Sequence, residues 1–268
     1  MSKQRILFVT QEMNPYTTIS SISEKIRALA PHVQGGDIEI RVLMPKFGVI
    51  NERRHRLHEV VRLSGMNIIV DDDDFPLIIK VASLPGARLQ VYFLDNEEFF
   101  KRKFIFNDKD EKPFDDNHER MVFFCKGVIE TVKKFGWSPD LVHCSGWFTS
   151  LVPLYLKKVY NHDPVFENSK VVFSVFDEDY AQHFNPRFTE IAAINDLEES
   201  DLAAYKNGDK FTLNAGALAF ADAAILDSDK LDEDELSAFK DFDKPKLDYF
   251  VDDEYKKESL AFFKELLN

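Results

Sequence analysis

The sequence predicts an α/β fold, one doubly wound domain with a largely parallel sheet and an added β-hairpin region. Two observations predict it. Short apolar runs, several of them β-branched and bounded by Gly, Pro or Asp, alternate with amphipathic stretches of helical period. Between Ile68 and Leu94, however, apolar runs follow one another with no helical stretch between them, the pattern of antiparallel hairpins at a sheet edge. No internal repeat, low-complexity linker or domain boundary interrupts the 268 residues, so a single domain over 1–268 is expected.

In chain order, Ile6–Val9 reads as a buried first strand, followed by a turn and a helix from about Thr18 to Leu29. Ile38–Met44 is the second strand. Asn67–Val70, Leu77–Ala82 and Leu89–Leu94 make the hairpin region, with Asp71–Asp74 and Pro85-Gly86 as turns. The four consecutive aspartates read as a solvated turn rather than a cation site. The clearest helix is Asn117–Phe135. Met121, Phe124, Cys125, Val128, Ile129 and Val132 recur at helical spacing, Asp116 or Asn117 can cap it, and Gly136 stops it. Leu141–His143, Val171–Val175 and Ala224–Leu226 are further strands, and about Ser150 to Val159 is a helix. The last helix, Glu254–Leu267, carries Leu260, Phe263 and Leu267 on one stripe and is expected to pack back on the domain.

Composition excludes several functions. A net charge of −13 and a pI near 5.0 oppose binding to a phosphate backbone, so no nucleic-acid partner is expected. The acidic runs around Asp229–Glu235 and Asp241–Glu254 read as solvated faces or loops. No stretch approaches the roughly 18 apolar residues that span a bilayer, and the N-terminus lacks a signal-peptide core. No membrane partner and a cytoplasmic location are therefore expected. Cys125 and Cys144 lie in apolar segments and should be reduced and buried, while the 25 phenylalanines read as core filler.

The strand-to-helix junction after Val9 is where nucleotide-handling α/β domains place glycines and a basic residue. Glycine lets backbone approach a phosphate, and the helix N-terminus stabilises its charge. Here no Gly, Lys or Arg occurs between Ile6 and Glu24. Other constellations carry no chemistry. His55 and His58 sit among Arg53, Arg54 and Arg56, which would repel a cation. The run Asp227-Ser-Asp229-Lys-Leu231-Asp-Glu lacks the third ligand and the Gly of a calcium loop. His143 and Cys144 are adjacent on a strand and point to opposite faces, so neither activates the other. His118, His162 and His183 show no metal-binding spacing. Neither a metal nor a cofactor is expected.

Five segments occur in order over most of the chain: Ile6–Tyr16 (ILFVTQEMNPY), Arg41–Gly48 (RVLMPKFG), Asn117–Cys125 (NHERMVFFC), Trp137–Leu156, and Ala215–Asp222 (AGALAFAD). On them the chain resembles the N-terminal domain of bacterial glycogen and starch synthases, retaining glucosyltransferases of the two-domain GT-B architecture (family GT5). The resemblance implies a Rossmann-like sheet forming one half of a GT-B fold. It also shows what has changed. The family's Lys-x-Gly-Gly-Leu donor motif falls on Thr18-Ile19-Ser20-Ser21-Ile22, so Thr18, Ser20 and Ser21 form a degenerate donor loop. The family's His-Asp-Trp-His falls on Ser145, Gly146, Trp147 and Phe148, and its His-Asn pair on Phe176 and Asp177. Glu12, Tyr16 and Tyr180 are the candidates for a residual cleft. The family's second domain, which binds most of the nucleotide, has no counterpart of sufficient length in this sequence.

The resulting expectation is a glycogen-synthase-like pseudoenzyme, inactive alone, that binds an α-glucan or a protein of glycogen metabolism. One alternative is a glucosyltransferase, from ADP- or UDP-glucose to α-1,4-glucan, acting with a separate C-terminal domain. Another is a structural protein without a carbohydrate ligand, forming a homo-oligomer. The space around Thr18, Ser145 and Phe176 discriminates: an open polar cleft favours binding, a filled one a scaffold.

Overall fold

The computed structural model describes residues 3–177 and 184–268. Its strands and helices follow in the order β1 (Gln4–Thr10), α1 (Ile22–Val33), β2 (Ile38–Pro45), α2 (Glu52–His55), β3 (His58–Glu59), β4 (Met66–Val70), β5 (Asp73–Ser83), β6 (Gln90–Asp95), α3 (Glu97–Phe100) and α4 (Asn117–Phe135). Then come β7 (Leu141–Ser145), α5 (Leu151–Leu154, continued by a π-turn over Tyr155–Val159), β8 (Lys170–Val175), α6 (Phe188–Ala192), β9 (Lys206–Asn207) and β10 (Lys210–Phe211). The chain closes with α7 (Leu213–Phe220), β11 (Ala223–Leu226), α8 (Glu233–Asp241), β12 (Lys246–Leu247) and α9 (Glu254–Leu267).

A ten-stranded sheet runs β12-β11-β8-β7-β1-β2-β6-β5-β3, with β4 paired to β5. From β12 to β6 every pairing is parallel; β5 turns antiparallel on β6, and β3 and β4 pair antiparallel with β5. The sheet is thus Rossmann-like with a hairpin edge. Ile6 to Val9 are all buried, as a central parallel strand covered on both faces requires. In β4, Ile68 and Val70 are buried while Asn67 and Ile69 are exposed, the alternation of a strand with one wet face. From β1 the chain moves outward through β2 and β6, then returns to build β7, β8 and β11 on the other side. The order reverses between β1 and β7, and a crevice opens beyond their carboxyl ends.

Local signals explain most elements. Gly136 ends α4 with φ +61°, a left-handed position that favours glycine. Asp116 does not cap α4 with its side chain; its carboxylate holds Arg102 instead. The turn between β4 and β5 is Asp71–Asp72, shorter than the predicted Asp71–Asp74, because β5 begins at Asp73 in register with Val70. Helix α1 begins at Ile22 rather than Thr18, because a buried carboxylate captures the amides of Ile19 and Ser20. The acidic run at Asp229–Glu235 is a loop as far as Asp232 and then opens α8 at Glu233, most of it solvent-exposed. There Asp232 accepts from the Glu235 amide at 2.8 Å and Glu235 accepts from the Asp232 amide at 3.4 Å, a capping box. Helix α9 buries Phe263 against Phe8 and His143, with ring centroids 6.1 and 5.4 Å apart. Among the described residues no helix is long and apolar enough to cross a membrane.

Candidate functional site

The crevice is built at the carboxyl ends of β1, β7, β8 and β11. At the end of β1, the buried Glu12 carboxylate accepts hydrogen bonds from the Ile19 amide (2.5 Å), the Ser20 amide (2.9 Å) and the Ser20 hydroxyl (2.5 Å). Burial raises the pKa of Glu12, and the Ser20 hydroxyl opposes that rise. The amides that precede α1 are therefore satisfied by the chain's own anion. Thr18 and Ser21 are exposed at the rim and Ser20 is half-buried.

At the end of β7 the four resemblance positions pack inward. Ser145 is buried, paired in the sheet with Thr10 and Ser174. Gly146 adopts φ +88°, and a Cβ placed there would collide with the Gln11 side chain. That glutamine carbonyl accepts from the Phe148 amide at 3.3 Å. The Phe148 ring is buried among Trp147, Phe106 and Phe124, with centroids 5.0, 5.4 and 5.5 Å away. His143 and Cys144 behave as core residues. Burial holds His143 down to about 4, with its Nε2 2.7 Å from the Ser174 hydroxyl, and pushes the Cys144 thiol up.

At the end of β8, Phe176 is buried and Asp177 accepts from the Ser228 hydroxyl at 2.7 Å. Beside Phe176 stands Lys25 of α1. Its ammonium donates to the Asp227 carboxylate (2.9 Å) and carbonyl (2.6 Å), and lies 5.7, 4.9 and 5.6 Å from the rings of Phe176, Tyr249 and Tyr255. An internal cation thus occupies this corner as an internal anion occupies the next.

Adjacent to the closed corner is a cavity of about 720 Å³, bounded by the β9–β10 hairpin, α7 and α8. Trp147 and Asp177 line it, with Phe211, Asn214 and Glu235. Asn214 donates through Nδ2 to the Phe176 carbonyl (3.0 Å) and to Glu235 (2.6 Å). Burial, assisted by Asp232 and Asp177, pushes Glu235 up to about 7 against the pull of Asn214. Helix α7 sits close because Gly216 faces the Tyr205 ring, where a Cβ would collide. A second, shallower cavity of about 290 Å³ is lined by Ile19, Val49 and Lys103–Asp108, and of its hydrophobic residues Ile19, Val49 and Phe104 are exposed.

The structure brings Trp147 and Asp177 together at the larger cavity and buries Ser145, Phe148 and Phe176 as packing. The space around Ser145 and Phe176 is thus filled, the outcome expected of a scaffold, and the open polar space lies beside it. Glu12 organises the loop. Tyr16 faces elsewhere: its ring packs on Phe93 and His55 (4.8 and 5.1 Å) and its hydroxyl donates to the Ser83 carbonyl at 3.4 Å. Tyr180 lies outside the described residues. Asn214 and Glu235 were not singled out by sequence reasoning. The spacing Asp232-x-x-Glu235 after a short apolar strand is the signal that marks the start of α8. Among the described residues no group of three or more His, Cys, Asp or Glu could hold a metal ion.

Comparisons with known proteins agree with this architecture. The family profile described as "Starch synthase catalytic domain" matches residues 5–246. A glycogen synthase of Chlorobium limicola is 35% identical over 212 residues, covering 78% of this chain and 42% of that protein. A glycogen synthase of Chlorobaculum tepidum is 33% identical over 251 residues, covering 87% and 48%. The chain therefore spans less than half the length of these relatives. The catalytic domain of starch synthase IV from Arabidopsis thaliana, solved with ADP and acarbose, superposes with a TM-score of 0.75 at 16% identity, over 93% of this chain and 52% of that one. Profile, relatives and fold converge: the chain belongs to the starch synthase catalytic domain family.

Proposed function

We propose that this chain is a glycogen-synthase-like domain that binds an α-glucan beside the crevice and transfers no glucose by itself. One observation carries the reading: the donor corner is filled by the chain's own groups while the neighbouring cavity is open. Stabilising a sugar nucleotide in transfer requires fixed cations and donors aimed at its phosphates. Here the amides of Ile19 and Ser20 serve Glu12, and Lys25 serves Asp227. The open cavity, about 720 Å³ with two aromatic residues and a few oriented polar groups, has the size and lining of a small-ligand site. The Arabidopsis starch synthase IV domain is bound to both ADP and acarbose; this chain keeps room for a saccharide and has lost the contacts for the nucleotide.

Titration calorimetry with maltoheptaose and with ADP tests this, together with transfer of labelled glucose from ADP- and UDP-glucose to glycogen. The expected result is heat with the oligosaccharide, none with ADP, and no transfer. ADP binding together with transfer by the chain alone overturns it. A second reading, glucosyl transfer in company with a separate C-terminal domain, is favoured by the exposed Ile19, Val49 and Phe104 beside the donor loop. Transfer that begins on mixing with such a domain supports that reading.

A further inference from the structure

Glu235 is the most constrained acidic group of the larger cavity. It stands in the first turn of α8, yet its carboxylate is tied to a different helix and, through that helix, to the sheet. Asn214 of α7 donates to Glu235 Oε1 at 2.6 Å while donating also to the Phe176 carbonyl at the end of β8. The second oxygen accepts from the Asp232 amide at 3.4 Å. Asp177 lines the same cavity and is itself oriented by the Ser228 hydroxyl at 2.7 Å. Two carboxyl groups, Glu235 held by Asn214 of α7 and Asp177 by Ser228 beyond β11, therefore line one space walled by Trp147 and Phe211. Oriented hydrogen-bonding groups against aromatic walls are what a polyhydroxylated ring requires, since its hydroxyls need directed partners and its C–H faces need apolar ones.

We propose that Glu235 reads the ligand in this cavity, its carboxyl group meeting a hydroxyl of a bound sugar ring while Asn214 and Asp232 hold it in place. The assignment rests on the glucan reading above. The charged groups that line the cavity with Glu235 decide its protonation. Asp177, Asp232 and Asp234 oppose a further negative charge, whereas Lys206, Lys210 and Lys230 are exposed and screened by water. Burial and the acidic neighbours already push Glu235 up to about 7. A sugar ring that displaces the remaining water desolvates the carboxyl further, so the ligand binds with Glu235 as the neutral acid, which both donates and accepts. Binding is then coupled to proton uptake and weakens as pH rises through the folded pKa.

Maltoheptaose titrations of the whole chain at about pH 6 and about pH 8 test this, with Glu235→Gln and Glu235→Ala alongside. If only the neutral acid binds, the native affinity falls roughly tenfold between the two pH values. Glu235→Gln copies the neutral acid and keeps the Asn214 contact, so its affinity stays within about twofold across the range. Glu235→Ala binds weakly at both. Circular dichroism of each variant establishes that it is folded. Binding by Glu235→Gln with the native pH dependence, or by Glu235→Ala with native affinity, overturns this proposal alone. Absence of binding by the native protein at either pH overturns the glucan reading and this proposal with it.

Discussion

Lys25 is the residue on which the closed corner depends. Its ammonium and the Asp227 carboxylate are both largely buried, and three aromatic rings surround the cation. Removing one member of a buried pair leaves the other charge without a partner, which costs more than the pair contributes. Lys25→Met is therefore expected to destabilise the fold by about 3 kcal/mol in urea denaturation, although methionine fills similar volume. A loss under about 0.5 kcal/mol, the range of an ordinary surface change, contradicts this. Glu12 has the same role at the neighbouring corner. None of this is readable from residue types, because Glu12 and Ser20, or Lys25 and Asp227, meet only after folding.

At the scale of elements, local signals separate what was legible from what was not. Helix α4 was readable to the residue because its apolar period and Gly136 are contiguous in the chain. The start of α1 was not, since a tertiary acceptor, Glu12, takes the amides that would have opened the helix earlier. Helix α8 was hidden by its charge: an acidic run reads as a solvated face or a loop unless Asp232 and Glu235 are recognised as a capping pair. That pair is testable. Asp232→Ala removes the N-cap acceptor of α8 and is expected to cost about 1 kcal/mol in thermal or chemical unfolding. It also loosens Glu235, so glucan affinity should fall with stability, whereas Asp232→Asn, a capping residue itself, should retain most of both. Loss of affinity in Asp232→Asn equal to that in alanine contradicts a capping role.

For the whole molecule, the buried His143 and the half-buried Glu235 bend stability in opposite directions with pH. His143 is held neutral, down to about 4 from an ordinary 6.5, by burial beneath α9. The unfolded chain takes up that proton below about pH 6.5 while the folded one does not, so stability falls as pH drops from about 6.5 toward 4, by about 3 kcal/mol in all. Glu235 acts the other way: its raised pKa gives stability present below its ordinary value of 4.5 and lost as pH rises through about 7. Chemical denaturation across this range checks both. The acid-side slope should lessen in His143→Asn, and the loss toward neutrality in Glu235→Gln. Slopes unchanged in both variants contradict the assignment.

The sequence by itself determined the fold class, the central strands, the hairpin edge and the family, because apolar period, turn residues and ordered motifs are properties of neighbouring residues. It also showed that the junction between the first strand and α1 carries no Gly, Lys or Arg from Leu7 to Ser23. Only the tertiary structure decided what fills the corner at the end of β1 and what stays open beside it. Glu12, Lys25, Trp147, Asp177, Asn214 and Glu235 come from six elements of the chain, and sheet topology brings those elements together at the carboxyl ends of the strands. Whether a polar group there faces a ligand or a partner within the fold depends on distances that no local pattern encodes.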